Sequence, residues 1–278
     1  FGALPSGTAG TFETELARRG TAVFSNSADH RMDRGVPLLV PEVNPDHLSV
    51  IRTTRKPAPI ITNPNCTATG LVLGLAPILP LLRPRWISVA TYQALSGAGY
   101  PGIASLSVTD NVVPYIAEEE EKVSTEAKHI LGSVRENTID PAPLELLVQC
   151  ARVGVRDGHL EAVTLRASRR PSRTALASAI RGFDPLRGLD LPMAPHPPVQ
   201  LRSEVDRPQP LRDRWAGNPP RARGMTVSIG RLRWEPPYLR CFVLSHNAVR
   251  GGAGASVLNA EFAISKGYVE GRRGGADA

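Results

Sequence analysis

Apolar positions along the chain switch between two spacings, and the alternation predicts an α/β protein. Short apolar runs bounded by Gly, Pro or Asn read as strands, and runs with a 3.6-residue rhythm read as helices. In the first part the pattern predicts a helix over 8–19 stopped by Gly20, then strands over 21–24, 36–40 and 60–62. Such alternation belongs to the later units of a parallel sheet. An apolar stretch over 67–82 predicts one long helix, followed by a strand over 86–92, a glycine-rich loop over 96–102 and a charged helix over 118–131. Strands are predicted over 144–155 and 160–167, joined by the turn-like Arg156-Asp157-Gly158-His159, with a short helix over 174–181. The Pro- and Arg-rich residues 184–218 read as an extended surface excursion. Strands over 225–232 and 239–244, a helix over 253–264 and a disordered tail from Gly271 complete the pattern.

Composition narrows the class. The 278 residues are 41% hydrophobic and 21% charged, enough to build a sizeable core. The longest apolar run, residues 70–82, is broken by Pro77 and Pro80 and is too short to span a membrane. The opening Phe1-Gly2-Ala3-Leu4 reads as the end of a buried strand, and residues 1–10 lack the basic start and apolar centre of a signal peptide. A net charge of +7 raises nucleic-acid binding, but the excess is dispersed arginine, with lysine only at 56, 122, 128 and 266. No basic helix or aromatic platform accompanies it, so no nucleic-acid partner is expected. Three widely spaced cysteines form neither a disulfide framework nor a zinc spacing, so the expectation is no metal and a reducing, cytoplasmic setting.

Cys66 is the first candidate for chemistry. It lies where a strand ends and a helix begins, so backbone N–H groups and the positive helix end point at it. That setting is expected to lower a thiol pKa and to supply an oxyanion hole, although the position equally suits a small apolar residue at a helix start. Cys150 and Cys241 fall inside strand-like runs and read as packing. His159 follows a turn at a strand junction, where a side chain either reaches a cleft or serves structure. Arg152, seven residues earlier, can project into the same place and hold a carboxylate through two hydrogen bonds. Glu119 and Lys122, three apart on one helix, read by themselves as a solvated ion pair.

These residues sit in an order that resembles the aspartate-semialdehyde dehydrogenases, in their archaeal and fungal branch. The resemblance is carried by Asn65-Cys66-Thr67 before an apolar helix, and by Gln93 followed by Ser96-Gly97-Ala98-Gly99-Tyr100-Pro101-Gly102. It continues through Asp110-Asn111-Val112-Val113-Pro114, Glu119-Glu120-Glu121-Lys122-Val123, the Arg152-to-His159 spacing and Asp206-Arg207-Pro208-Gln209-Pro210. Ser245-His246-Asn247, Arg250-Gly251 and, upstream, Ser25-Asn26, His30-Arg31-Met32-Asp33 and Pro41-Glu42-Val43-Asn44 belong to it too.

The resemblance implies reduction of L-aspartyl 4-phosphate to L-aspartate 4-semialdehyde with NADPH, on the way to lysine, threonine and methionine. In that reading Cys66 is the nucleophile, His159 the acid/base group, and Gln93 orients the acyl group. Arg152 holds the substrate carboxylate, Glu119 its amino group, and Arg31 and Lys122 the phosphate, with Asn65 beside the substrate. Ser6, Asn26, Ser96, Gly97, Gly99 and Asn247 line the NADP site. The implied fold is an incomplete Rossmann-type nucleotide-binding domain over 1–64 and an α+β catalytic and dimerisation domain with a mixed sheet over 65–247. Residues 248–278 supply a helix packing on the first domain and the tail. A homodimer or homotetramer is implied, with no membrane partner. The Gly-rich turn expected at the start of such a domain has no counterpart in residues 1–20, so the chain reads as an N-terminally truncated member. A malonyl-CoA type reductase and an inactive remnant are the alternatives. Arg31 and Lys122 favour the phosphate substrate.

Overall fold

A computed structural model describes residues 1–53 and 57–270. In chain order the elements are helix α1 (Ala9–Arg18), strand β1 (Val23–Ser25), strand β2 (Ile60–Thr62), helix α2 (Cys66–Leu75), helix α3 (Leu79–Leu82), strand β3 (Trp86–Gln93) and strand β4 (Val112–Val113). Helix α4 (Glu119–Ile130) follows, then the small hairpin of β5 (Ser133–Arg135) and β6 (Thr138–Asp140), and the long strands β7 (Glu145–Val153) and β8 (His159–Arg166). Helix α5 (Arg173–Gly182), strand β9 (Val199–Leu201), helix α6 (Pro210–Asp213), strands β10 (Val227–Glu235) and β11 (Tyr238–Ser245) and helix α7 (Gly254–Ser265) complete the chain.

Two sheets organise these elements, and the fold is α/β with a mixed sheet, as expected. β1 and β2 run parallel, extended on either side by single parallel bridges from Gly2 to Ser25 and from Leu38 to Thr62. The main sheet has seven strands in the order β4-β7-β3-β8-β11-β10-β9, with parallel pairs at β3–β7 and β9–β10 and antiparallel pairs elsewhere. Strand β8 shows why one face is covered: His159, Glu161, Val163 and Leu165 are buried, while Leu160, Ala162 and Thr164 between them are half-buried. Period-two alternation sends the first set toward α2, α4 and α5. There Leu71, Val72 and Leu75 of α2, Val123 and Ala127 of α4, and Leu176 and Ile180 of α5 close the core over Ile87, Val89, Val163, Val227 and Val243. Helix α7 packs Leu258 and Phe262 into a second core with Phe24, Leu39 and Ile61.

Several expectations are corrected. Residues 36–40 form only the single bridge from Leu38 to Thr62, because Pro37 lacks the N–H that would extend it, while the Asn44 side chain serves the other edge, accepting from Val40 N and donating to Leu38 O. The apolar stretch 67–82 is two helices, since Pro77 cannot continue α2. The 184–218 segment is no mere surface excursion. It contributes β9 to the sheet edge, and Leu186, Leu191 and Ala194 are buried in the second core. Phe1 is 74% exposed rather than buried. The hairpin of β5 and β6 was not foreseen, its strands being three residues each. The tail from Gly271 lies outside the described residues.

Helix α2 lies close on the sheet because it carries glycine where it crosses β11. A Cβ on Gly74 would lie 2.7 Å from Val243 Cγ1, a β-branched side chain with no room to turn. Gly74→Ala gains helix propensity of about 1 kcal/mol but meets an overpacking cost of about 1–3 kcal/mol. The expected outcome is a lower Tm by thermal unfolding, and an unchanged or raised Tm would show that this packing is not tight.

Candidate active site

Cys66 is the first residue of α2, and Asn65 caps that helix: its Oδ1 accepts from the N–H groups of Thr67, at 2.8 Å, and Ala68, at 3.1 Å. Two of the donors expected to face an oxyanion are therefore already engaged. The Cys66 sulfur lies 3.2 Å from His159 Nε2, 93 residues away on the first position of β8. His159 Nδ1 accepts the Ala94 N–H at 3.0 Å, so the neutral ring carries its proton on Nε2 and directs it at the sulfur.

His159 is fully buried and Cys66 half-buried, and this loss of hydration sets their protonation. Burial pushes the Cys66 thiol up to about 12; the Glu119 carboxylate adds to the rise, against the pull of Arg31 and the Thr67 hydrogen bonds. Burial, with help from the charge of Arg152 and from His246, pushes the His159 imidazole down to about 3. The thiol pKa expected to fall at a helix start thus rises instead, and the resting pair is neutral thiol and neutral imidazole. Cys150 and Cys241 are buried as expected, with thiols pushed up by burial to about 11 and about 12.

Around this pair the other candidates fall into three groups. Glu119 turns inward and accepts from Asn65 Nδ2 at 3.0 Å, Thr67 Oγ1 at 3.2 Å and Gln93 Nε2 at 3.0 Å. Arg152 is buried, donates from Nη1 to the Ala94 carbonyl at 2.7 Å, and leaves Nε without a partner. Arg31 donates to Glu126 and to the Asn26 carbonyl, both at 2.8 Å, and its Nε also lacks a partner. Lys122 stands apart: its partner is Glu118, at 2.7 Å on the exposed side of α4, not Glu119. The helical turn that carries Glu119 inward carries Lys122 out.

The loop residues form the third group. Asn247 joins two segments, accepting from Gly158 N and donating to Ser96 Oγ, each at 2.8 Å. The loop is wound into a short 3₁₀ turn over Leu95–Ala98, and a Cβ on Gly97 would lie 2.9 Å from both Arg152 Nη1 and His159 Cε1. Gly99 adopts φ +68 in open space. Asn26 bonds Gly2 O and Asn63 Nδ2, and Ser6 Oγ accepts from Ala28 N at 3.0 Å, on an exposed turn.

Glu126 was missed. One oxygen takes Arg31 at 2.8 Å and the other takes the Asn65 backbone N–H at 2.5 Å, so a single carboxylate fixes both the guanidinium and the entry to α2. Its carboxyl is raised by burial, with Arg31 and the Asn65 N–H pulling it down. The signal was available: Glu119 and Glu126 are seven apart, two helical turns, and share one face. Glu161 was missed as well. It is fully buried two residues beyond His159, without a hydrogen-bond partner among the described residues, and burial raises its carboxyl well above the ordinary range. Among those residues no cluster of His, Cys, Asp or Glu could hold a metal, and no helix is long and apolar enough to cross a membrane.

Above the sulfur, Gly251 permits the closest backbone approach in the site. A Cβ there would lie 2.4 Å from Cys66 Cβ and 2.8 Å from its Cα. The segment is held down by Arg250, fully buried and paired to Glu42 through two bonds of 2.8 and 2.6 Å. Because the thiol pKa lies far above neutrality, Cys66 alkylation by iodoacetamide should climb about tenfold per pH unit from pH 7 to pH 10. Mass spectrometry of its peptide checks this, and a plateau near pH 7 would mean a standing thiolate–imidazolium pair. Gly251→Ala lifts the covering segment and admits water, so alkylation at pH 8 should quicken by on the order of tenfold; an unchanged rate would rule out the close approach.

Family models match twice: the semialdehyde dehydrogenase NAD binding domain over residues 1–51 and the semialdehyde dehydrogenase dimerisation domain over residues 75–250. An aspartate-semialdehyde dehydrogenase of Archaeoglobus fulgidus is 45% identical over 96% of this chain and 76% of its own length. A malonyl CoA reductase (NADP) of Metallosphaera sedula is 39% identical over 98% of this chain and 78% of its own. The crystal structure of the Candida albicans aspartate semialdehyde dehydrogenase with NADP superposes with a TM-score of 0.84 at 34% identity, covering 96% of this chain and 77% of that one. The chain belongs to the aspartate-semialdehyde dehydrogenase family of oxidoreductases.

Proposed function

We propose that this chain catalyses the NADPH-dependent reductive dephosphorylation of L-aspartyl 4-phosphate to L-aspartate 4-semialdehyde through a thioester on Cys66. The observation that carries the reading is the Cys66 sulfur 3.2 Å from His159 Nε2, beside buried Arg152 and half-buried Arg31, whose Nε donors lack partners among the described residues. A thiol, an imidazole and anion-binding groups in one place suit an acyl phosphate bearing a carboxylate. The thiol gives up its proton, the sulfur forms the bond to the acyl carbon, and the carbon–oxygen bond to phosphate breaks with its electron pair leaving on phosphate. Arg152 takes the substrate carboxylate and Arg31 the phosphate, with Lys122 reaching it only by leaving Glu118. Glu119 receives the amino group, Gln93 and Asn65 orient the acyl carbon, and the Cys66 N–H remains for its oxygen.

NADPH, when bound, supplies the hydride that reduces the thioester. Gly97 against His159 and Gly251 against Cys66 let backbone approach the reacting pair on two sides, a surface that fits a flat nicotinamide, with Ser96, Gly99, Asn247, Asn26 and Ser6 around it. His159 holds its Nε2–H toward the sulfur, ready to stabilise the departing thiolate when the aldehyde leaves. A carboxylate docked on Arg152 offsets one of the charges that hold the imidazole low, so its basicity rises in the loaded site. Accepting the thiol proton at Nε2 then requires the Ala94 contact to Nδ1 to give way. In this reading residues 1–64 with α7 form the nucleotide side and residues 65–247 the catalytic side. The half-covered sheet face, bearing Tyr92, Leu147 and Tyr238, pairs with a second copy in a homodimer or homotetramer. A reducing, cytoplasmic compartment keeps the thiol free.

NADPH formation from aspartate semialdehyde, phosphate and NADP tests the proposal. Cys66→Ala should abolish turnover, and His159→Gln should lower kcat by about 10²–10⁴-fold. Turnover indifferent to Cys66→Ala would overturn the mechanism. Turnover of malonyl-CoA, but not of the phosphate-dependent reaction, would move the chain to the chemistry of its Metallosphaera relative.

A further inference from the structure

A second place in the molecule gathers charge of one sign. At the edge of the seven-stranded sheet, between α5, β9 and β10, lies a cleft of about 370 Å³ that shares no residue with the Cys66 cluster. Five guanidiniums border it, Arg173, Arg181, Arg202, Arg231 and Arg233, against one carboxylate, Glu204. Arg202 is paired to Asp213 at 2.9 Å and Arg231 donates to the Val205 carbonyl. The side chains of Arg173, Arg181 and Arg233 take part in no ion pair or hydrogen bond among the described residues.

The backbone is shaped to bring these groups together. Arg173, Ala177 and Arg181 recur every four residues and so present one face of α5. Consecutive residues of a regular strand point to opposite sides, yet Arg231, Leu232 and Arg233 all border the cleft. A bulge in the pairing with β11 between Gly230 and Arg233 makes this possible, with Arg231 at φ +51, a conformation that β-carbon crowding disfavours. Arg173 also stands in the first turn of α5, at the positive helix end, where a cation is unfavourable. Like charges, a bulge and a left-handed arginine each cost stability. Glu204, Asp213 and the Val205 carbonyl offset part of this, and a bound polyanion would offset the rest.

We infer that this cleft binds a small polyanion carrying two or more phosphoryl groups. Guanidiniums from a helix on one side and a bulged strand on the other suit several phosphate oxygens at once, each through paired N–H bonds. The volume admits a small molecule, and the lining offers no aromatic ring on which a nucleic-acid base would stack.

Calorimetric titration with inorganic tripolyphosphate tests the inference, on the protein and on the double variant R181Q/R233Q, with ATP as a second arm. Tripolyphosphate should bind the protein at low salt, raise its Tm, and weaken as salt is added. The double variant should bind at least about tenfold more weakly and lose the Tm increase. Its own Tm without ligand should equal or exceed that of the protein, because like-charge repulsion is relieved, and this shows that it folds. Equal affinities for tripolyphosphate and ATP place recognition in the phosphates alone, and tighter ATP binding identifies a nucleotide. Binding unchanged by R181Q/R233Q, or no binding at millimolar tripolyphosphate, overturns the inference.

Discussion

The contact between the Cys66 sulfur and His159 Nε2 joins the start of α2 to the start of β8, with the imidazole fully buried and the cysteine half-buried, and most of the site follows from that loss of hydration. A thiolate and an imidazolium are each expensive there, so both groups rest neutral. In the proposed function, the neighbouring residues are the set that admits charge with the substrate. Arg152 and Arg31 are held by backbone carbonyls and by Glu126, and each retains an unpartnered Nε. An anion arriving at these donors changes the field at the sulfur and the ring together. In the proposed reaction, the site would become reactive on loading rather than stand reactive beforehand.

Keeping such a place narrow requires backbone to lie directly on it. Gly251 allows the 249–253 segment to touch Cys66, and the buried pair between Arg250 and Glu42 anchors that segment to a loop more than two hundred residues away in sequence. A buried ion pair of this kind adds little net stability over an apolar pair, but removing one partner leaves a bare charge and costs about 3–5 kcal/mol. Its value here is positional. Asn63 does similar work with neutral groups, donating to Asn26, to the Gly252 carbonyl and to Ser256, so β1, β2, the covering segment and α7 meet at one amide.

The sequence made the long elements legible and the exceptions only partly so. Period-two runs located β3, β7, β8 and β11 because each has one buried face, and the charged rhythm of α4 located its bounds within a residue. The strand expected over 36–40 shrinks to a single bridge from Leu38 to Thr62, because Pro37 has no N–H to extend the pairing and the Asn44 side chain takes Val40 N and Leu38 O on the other edge. Edge strand β9 was hidden by its three-residue length within a proline-rich segment. In the site, Cys66, His159, Gln93, Arg152, Arg31, Asn65 and Glu119 come together. The helix-start argument for Cys66 gave its place correctly and its pKa wrongly, because local geometry was visible in the sequence and burial was not.

The arginines show most sharply what sequence withholds. Read along the chain they are a dispersed excess with no stripe, and that reading stands for most of the surface. Folded, they divide by surroundings. Arg152 and Arg250 are drawn into buried positions and Arg31 into a half-buried one, where each is fixed by a carboxylate or a carbonyl. Five others converge on one cleft, three of them with no partner, from segments separated by some fifty residues. A dispersed excess of arginine does not explain why a bulge and a left-handed residue bring three consecutive side chains to the same cleft. Geometry that costs stability, repeated at one place and directed at one sign of charge, is the stronger indication of purpose than the count of charges.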